Sequence, residues 1–347
     1  MSVDRTALIK KLTDANGLPG DEGEIRNIIR TELEGHTDSI ITDRLGNLIV
    51  TKNSGRPGLH IGLSAHMDEV GMAVLRINEA GLLTIGTFGV DPRLLPSKIV
   101  SIGKDKVKGV IGTKPVHMTK PDERERAIDL DALYIDIGAS TKEEAEKSVS
   151  LGDFVYFDSE FVEFGERKIK AKALDDRLGC AVMIEILKSD VKTPITAIFC
   201  SQEEVGLRGS AVAANRAHVD VYINLEGTVS ADMPSTDAHE RVTVLGKGPA
   251  LSLIDRTSVY LKEYINKIVA AAEENGIPYQ YRATGAGGTD AANYHVAHGG
   301  TPVIGLATPC RYLHSPVSVC DLRDYENTVK LVRAFIQKYG NSARAES

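Results

Sequence analysis

Tryptophan is absent from these 347 residues, aromatic residues make up only 5%, and cysteine occurs four times. Cys180, Cys200, Cys310 and Cys320 form no CxxC pair and no dense framework. That spacing argues against a small disulfide-stapled scaffold and points to a reducing compartment. No uninterrupted apolar run reaches the roughly 18 residues a membrane-spanning helix requires. The opening Met1-Ser2-Val3-Asp4-Arg5 passes straight into helix-like sequence without an apolar signal core. A surplus of positive charge is missing too: the net charge is −7, with acids and bases mixed along the chain. Nucleic acid or an anionic membrane calls for a concentrated basic face, so neither partner is expected. There is no internal repeat and no low-complexity segment, and only Asn341 to Ser347 reads as disordered. The expectation is a soluble, cytoplasmic protein.

What is present is ordinary globular sequence, 42% hydrophobic and 26% charged, long enough to bury a large core. Residues 4–14 and 21–34 read as amphipathic helices, the second with Ile25, Ile28, Ile29 and Leu33 at helical spacing and Asp21 as its N-cap. Strand-like segments follow at 46–52 and 59–65, the latter running into His66-Met67-Asp68-Glu69. From about 72 to 160, short Val/Ile-rich stretches alternate with Gly, Asp, Pro and Lys turns, with one brief helix near 142–149. After about 164 an α/β rhythm resumes: helix 176–189, strand 194–201, helix 206–216, strand 220–225, helix 257–275, strand 301–307 and helix 323–338. Strands as apolar as Ile195 to Cys200 are expected where helices cover both faces of a sheet. The fold class predicted is therefore α/β, a mixed and mostly parallel sheet flanked by helices. The main domain would comprise 1–71 and 164–347, with a β-rich insert at 72–163.

Five segments put acids or imidazoles just after an apolar strand or beside glycine: His66-Met67-Asp68-Glu69, Asp175-Asp176-Arg177, Gln202-Glu203-Glu204, Leu225-Glu226-Gly227 and Leu313-His314-Ser315. Ligand sites in open α/β sheets lie beyond the carboxyl ends of strands. Singly, each segment has a plain structural explanation. His66 could be a satisfied, half-buried histidine, Asp175-Asp176-Arg177 a helix cap with an ion pair, and Glu203-Glu204 first-turn acids favoured by the helix dipole. Glu226 could cap a turn, and His314 could be a loop residue. Jointly, they share no structural cause, whereas a dinuclear metal centre needs them all. Two ions roughly 3.5–4 Å apart need a bridging carboxylate and further ligands on each. They bring bound water from a pKa near 15.7 to about 7, so that a bridging hydroxide is available. A carboxylate that is not a ligand must then move the proton to the leaving amine. Carboxylate and imidazole donors suit Zn, Co or Mn alike.

Five longer segments carry a resemblance: Ser64 to Gly71, Lys172 to Gly179, Ser201 to Gly206, Gly285 to Ala291 and Arg311 to Pro316. In this order they resemble the dinuclear-metal aminopeptidases of the tetrahedral (TET) type. This is the glutamyl- and leucyl-aminopeptidase group of the forty-second metallopeptidase family, clan MH, some of whose members carry cellulase- or glucanase-like names. The resemblance implies the phosphorylase/hydrolase-like metallopeptidase fold with a small β-barrel inserted for dimerisation, and homo-oligomers from a dimer up to a tetrahedral dodecamer. It implies two divalent ions per subunit, bridged by Asp175, with Glu204 and His314 completing one site and His66 and Glu226 the other. Glu203 would be general base and acid. Asp68 would fix the His66 tautomer through its carboxylate, Asp176 and Arg177 would hold the bridging loop, and Gly287, Gly288, Thr289 and Asp290 would line the substrate cleft. The substrates implied are short peptides. One position departs from the commonest pattern: Glu226 stands where Asp is frequent, which bears on substrate class more than on chemistry.

The leading expectation is thus an aminopeptidase. A deacylase or carboxypeptidase could use the same centre on another amide, and a scaffold could retain metal without catalysis, although a scaffold needs no Glu203. A glycosidase would need two carboxylates flanking a sugar, commonly without metal. The side-chain pocket would be built from loops near 228–240, 254–260 and 285–294, where Asp232 and Arg256 read as solvated charges.

Overall fold

A computed structural model describes residues 4–234, 236–283 and 287–342. The chain divides into two compact units, one formed by 1–69, 161–313 and 318–347, the other by 70–160 and 314–317.

The larger unit is built on a mixed sheet. Its centre is four parallel strands in the order Ile195–Cys200, Ile61–His66, Val221–Val229 and Val303–Arg311. Antiparallel strands extend it on both sides, Leu48–Lys52 and Ser39–Thr42 beyond one edge, Ser318–Asp321, Lys168–Ala171 and Val162–Phe164 beyond the other. Side chains alternate across the sheet. Ala197 and Phe199 join the core that includes Leu178, Val182 and Phe335, while Ile198 and Cys200 join one with Ala213 and Tyr294. Both faces are therefore helix-covered, which is why these strands are apolar throughout. Gly62 is required between them, since a Cβ there would fall 2.2 Å from the Tyr222 ring.

Several boundaries differ from the sequence reading. The second helix is Gly23–Leu33 and its N-cap position belongs to Glu22, not Asp21. The helix expected from 257 starts at Lys262. Asp255 instead accepts the Thr257 and Ser258 amides and folds the preceding residues into a tight hairpin bridged at Ile254 and Val259. Strands 220–225 and 301–307 run on to Val229 and Arg311, because their parallel pairing continues to Val229 opposite Cys310. Of the tail expected to be disordered, residues 343–347 lie outside the described residues.

The smaller unit is a closed antiparallel barrel of six strands, Gly71–Ile77, Leu83–Phe88, Tyr134–Asp136, Val107–Gly112, Ile99–Ile102 and Phe154–Phe157. Its interior is filled by Met72, Val74, Leu83, Ile85, Val100, Ile135 and Val155. Closure leaves no free sheet edge. The expected helix is reduced to Lys142–Ala145, capped by Thr141, and a second short helix, Pro121–Arg124, was not foreseen. Among the described residues no helix is long and apolar enough to cross a membrane.

Candidate metal centre

His66 is the last residue of a wholly buried strand. Parallel pairing places Ser64 beside Asn224, so two residues further on His66 and Glu226 reach the same level of the sheet. The His66 Nε2 lies 3.1 Å from Glu226 Oε1 and 3.4 Å from Asp175 Oδ1. Gly227 makes that convergence possible: a Cβ there would sit 2.7 Å from Asp175 Oδ1, and its amide instead donates to that oxygen at 3.2 Å. Glu226 thus lies within its strand, not in a turn after it.

Asp175 and Asp176 interrupt the start of the Leu174–Lys188 helix with non-helical backbone, so regular helix begins at Arg177. The Asp175–Asp176 peptide is cis. Asp176 accepts the His66 amide at 3.3 Å and the Gly179 amide at 3.0 Å, tying this break to the neighbouring strand. Arg177 is fully buried and donates to the carbonyls of Met67, Leu12 and Ala15 and to Glu69. Lys172 joins Glu69 at 2.6 Å. Glu69 and Lys172 stand in the marker segments, but nothing in their spacing signals the pairing.

Asp68 differs from expectation. Its backbone carbonyl, 2.9 Å away, accepts from His66 Nδ1, and that contact sets the tautomer that leaves Nε2 for a metal. The carboxylate, 3.7 Å from Nδ1, instead takes the amides of Glu203 at 2.9 Å and Glu204 at 3.1 Å. An ordinary peptide oxygen does the work assigned to the side chain. Glu203 and Glu204 thereby come within 4.8 Å of a ring nitrogen of His66, donor atom to donor atom.

His314 belongs to the smaller unit, with Nδ1 3.0 Å from the Gly89 carbonyl. In the glycine-rich segment, Gly285 and Ala286 lie outside the described residues. Gly287 is exposed and accepts the Arg256 amide; Gly288 packs on Thr257, which a Cβ would meet at 2.6 Å. Thr289 and Asp290 turn inward instead of facing an open cleft, Thr289 accepting from Asn224 and Asp290 from Ser210. Asp232 is no solvated charge, since Arg311 grips it through two nitrogens; Arg256 is exposed.

Burial, reinforced by the charges of Asp175 and Asp290, pushes Glu226 up to about 8 despite the His66 ring. Burial likewise raises Glu203 and Asp176 well above the carboxylate range, with Glu226 adding to both. Burial alone would lower His66, but the Glu226 charge and the hydrogen bonds to Asp175 and Glu226 hold it well above its usual range. Crowded acids pushed up in this way are what a divalent cation relieves. Geometry agrees: bonds of about 2.0–2.2 Å in a tetrahedral arrangement put neighbouring donors about 3.4 Å apart. The donors of His66, Asp175 and Glu226 therefore fit a divalent ion.

A helix-flanked mixed sheet with an imidazole–carboxylate cluster at its strand ends defines an α/β protein with a metal-competent site. Within that class the chain belongs to the M42 glutamyl aminopeptidase family, whose model matches residues 46–331. It is 35% identical over 336 residues to FrvX of Escherichia coli (strain K12), covering 95% of this chain and 94% of that one. Its structure resembles an aminopeptidase from Desulfurococcus kamchatkensis, with a TM-score of 0.92 at 32% identity, covering 99% of this chain and 98% of that one. It also resembles the Pyrococcus horikoshii TET1 peptidase, described as assembling into a tetrahedron or a large octahedral shell, with a TM-score of 0.85 at 33% identity and coverage of 95% and 98%. Aminopeptidase is thus the activity to which the family and its structural relatives point.

Proposed function

We propose that the protein is a dinuclear metallo-aminopeptidase that removes N-terminal residues from short peptides in the cytoplasm. The observation that carries this is the convergence of His66, Asp175 and Glu226 with Glu203 beside them, in a chain of an aminopeptidase family. Asp175 would be the shared carboxylate, His66 and Glu226 would hold one ion and Glu204 and His314 the other, and zinc, cobalt or manganese would suit these donors. Bound there, divalent ions supply positive charge that acidifies water and polarises the scissile carbonyl.

The chain's own residues do the rest. The Asp68 carbonyl keeps His66 Nε2 available. Asp176 and Arg177 hold the Asp175 turn. Glu203, its carboxyl raised by burial, takes a proton from the attacking water and returns it to the leaving amine. Gly287 and Gly288 would line the substrate cleft, with Thr289 and Asp290 supporting it from the interior through Asn224 and Ser210. Assembly follows the TET relatives, the barrel unit forming a dimer contact on the way to a closed shell.

Glu203→Gln should lower kcat on aminoacyl-anilides by roughly 10²–10⁴-fold while metal content stays constant. Near-normal turnover in that variant would refute the mechanism. Preference for N-acylated amino acids over free aminoacyl substrates would make the enzyme a deacylase instead.

A further inference from the structure

The loop that carries Glu203 and Glu204 has no regular secondary structure, yet four consecutive amides in it each end on a side-chain oxygen. Ser201 N donates to Asn47 Oδ1 at 2.9 Å, Gln202 N to Glu22 Oε1 at 3.2 Å, Glu203 N to Asp68 Oδ1 at 2.9 Å and Glu204 N to Asp68 Oδ2 at 3.1 Å. Three of the four bonds go to buried carboxylates. Asn47 also binds Asp43 and the Gly209 carbonyl, so it serves several segments. Glu22 is more particular. Its side chain is 2% exposed, Oε1 also takes the Gly20 amide at 2.8 Å, and Oε2 is 3.9 Å from Arg26, which itself donates to the Gly46 carbonyl. The carboxylate is thus held on its far side by the N-terminal segment and presents a fixed oxygen to Gln202.

Gln202 is where that oxygen matters most. Its φ is +54°, a left-handed conformation for a residue with a Cβ. Such a residue persists only where its surroundings over-determine it. Relaxation toward ordinary φ would redirect the chain at the two glutamates that follow.

We propose that Glu22 is a positioning residue for the reaction: acting through the Gln202 amide, it sets where the Glu203 and Glu204 carboxylates point. The inference rests on the aminopeptidase reading above. Nothing in the sequence pattern links residue 22 to residue 202. The bond is made only when the N-terminal segment packs against the end of the Ile195–Cys200 strand.

The test compares Glu22→Ala, Glu22→Gln and Glu203→Gln in the full-length protein, measuring kcat and KM on an aminoacyl-p-nitroanilide. Zinc affinity by competitive chelation and the melting temperature are measured alongside. Glu22→Ala should lower kcat about 100-fold, as for a misplacement of about 1 Å, with KM within about threefold. It should also weaken zinc about tenfold at one site, as for loss of an outer-shell support. Glu22→Gln keeps an acceptor oxygen of the same reach and should recover most of both. A folded Glu22→Ala protein with parental kcat and zinc affinity would overturn the inference. So would equal losses in Ala and Gln variants that merely track melting temperature. An inactive Glu203→Gln beside an unaffected Glu22→Ala sinks only the positioning role; an active Glu203→Gln sinks the general-base role of Glu203, and a parent protein that leaves the aminoacyl-p-nitroanilide uncleaved sinks the aminopeptidase reading on which the inference rests.

Discussion

Asp68 and Glu69 are adjacent in the chain, yet they enter two buried polar clusters of opposite character. Glu69 is met by Lys172 at 2.6 Å and by Arg177, whose remaining donors end on the carbonyls of Leu12, Ala15 and Met67. Charge is answered by charge and each cation is hydrogen-bonded. On the other side, Asp175, Asp176, Glu203 and Glu226 crowd around one imidazole, and burial raises the last three instead of leaving them comfortably ionised. The first cluster is complete as protein. The second holds more acids than its one imidazole answers, and that difference separates a structural ion network from a candidate metal centre.

Breaking the first cluster should have the largest effect on stability. Lys172→Met leaves Glu69 buried with one partner fewer, and removing one member of a buried pair costs about 3–5 kcal/mol. Urea unfolding measures it, and a loss below about 1 kcal/mol would mean that the network is not the support described. A smaller effect is expected from Asp68→Ala, which frees the Glu203 and Glu204 amides: zinc affinity should fall about 10–100-fold, read by competitive chelation.

The opposite sign is expected in the acid-rich cluster. In metal-free protein Glu226 has its folded pKa raised to about 8, against about 4.3 unfolded, so the folded state binds the extra proton. Its contribution is full below about pH 4.3 and is lost as pH rises through about 8. Chelated protein should therefore melt at a lower temperature at pH 8.5 than at pH 5.5 through this group. Glu226→Gln should flatten that slope and raise the high-pH melting temperature by a few degrees. Added zinc should reverse the slope in the parent protein only. Calorimetry across that range decides it, and a parent and variant with identical slopes would remove Glu226 as the cause.

Much of this was legible in the residues. Apolar runs ending in His66 and Cys200 announced buried strands with chemistry at their ends, because a strand covered on both faces has no reason to be polar until it emerges. The switch to short Val/Ile stretches near 72 announced a different kind of unit. Other features were not legible. His66 binds the Asp68 carbonyl where the residues suggest the Asp68 side chain, because a sequence names side chains and not carbonyls. The Ser210 hydroxyl that Asp290 accepts lies 80 positions away and carries no signal in the sequence. Glu22 carries no signal in the sequence, since a lone glutamate before a helix is ordinary.

The sequence by itself determined where the main strands and helices of the larger unit fall, that imidazole and carboxylate donors are available, and that clustered cysteine is not among them. These follow from periodicity and side-chain chemistry, which are local. Tertiary structure alone decided that His66 and Glu226 share a level across two parallel strands, that Gly227 yields space to Asp175, and that Glu69 meets Lys172 and Arg177 while Glu226 meets the His66 ring among further carboxylates. Those outcomes depend on strand order and register between residues 52 or more positions apart, and no local pattern in the chain records such pairings.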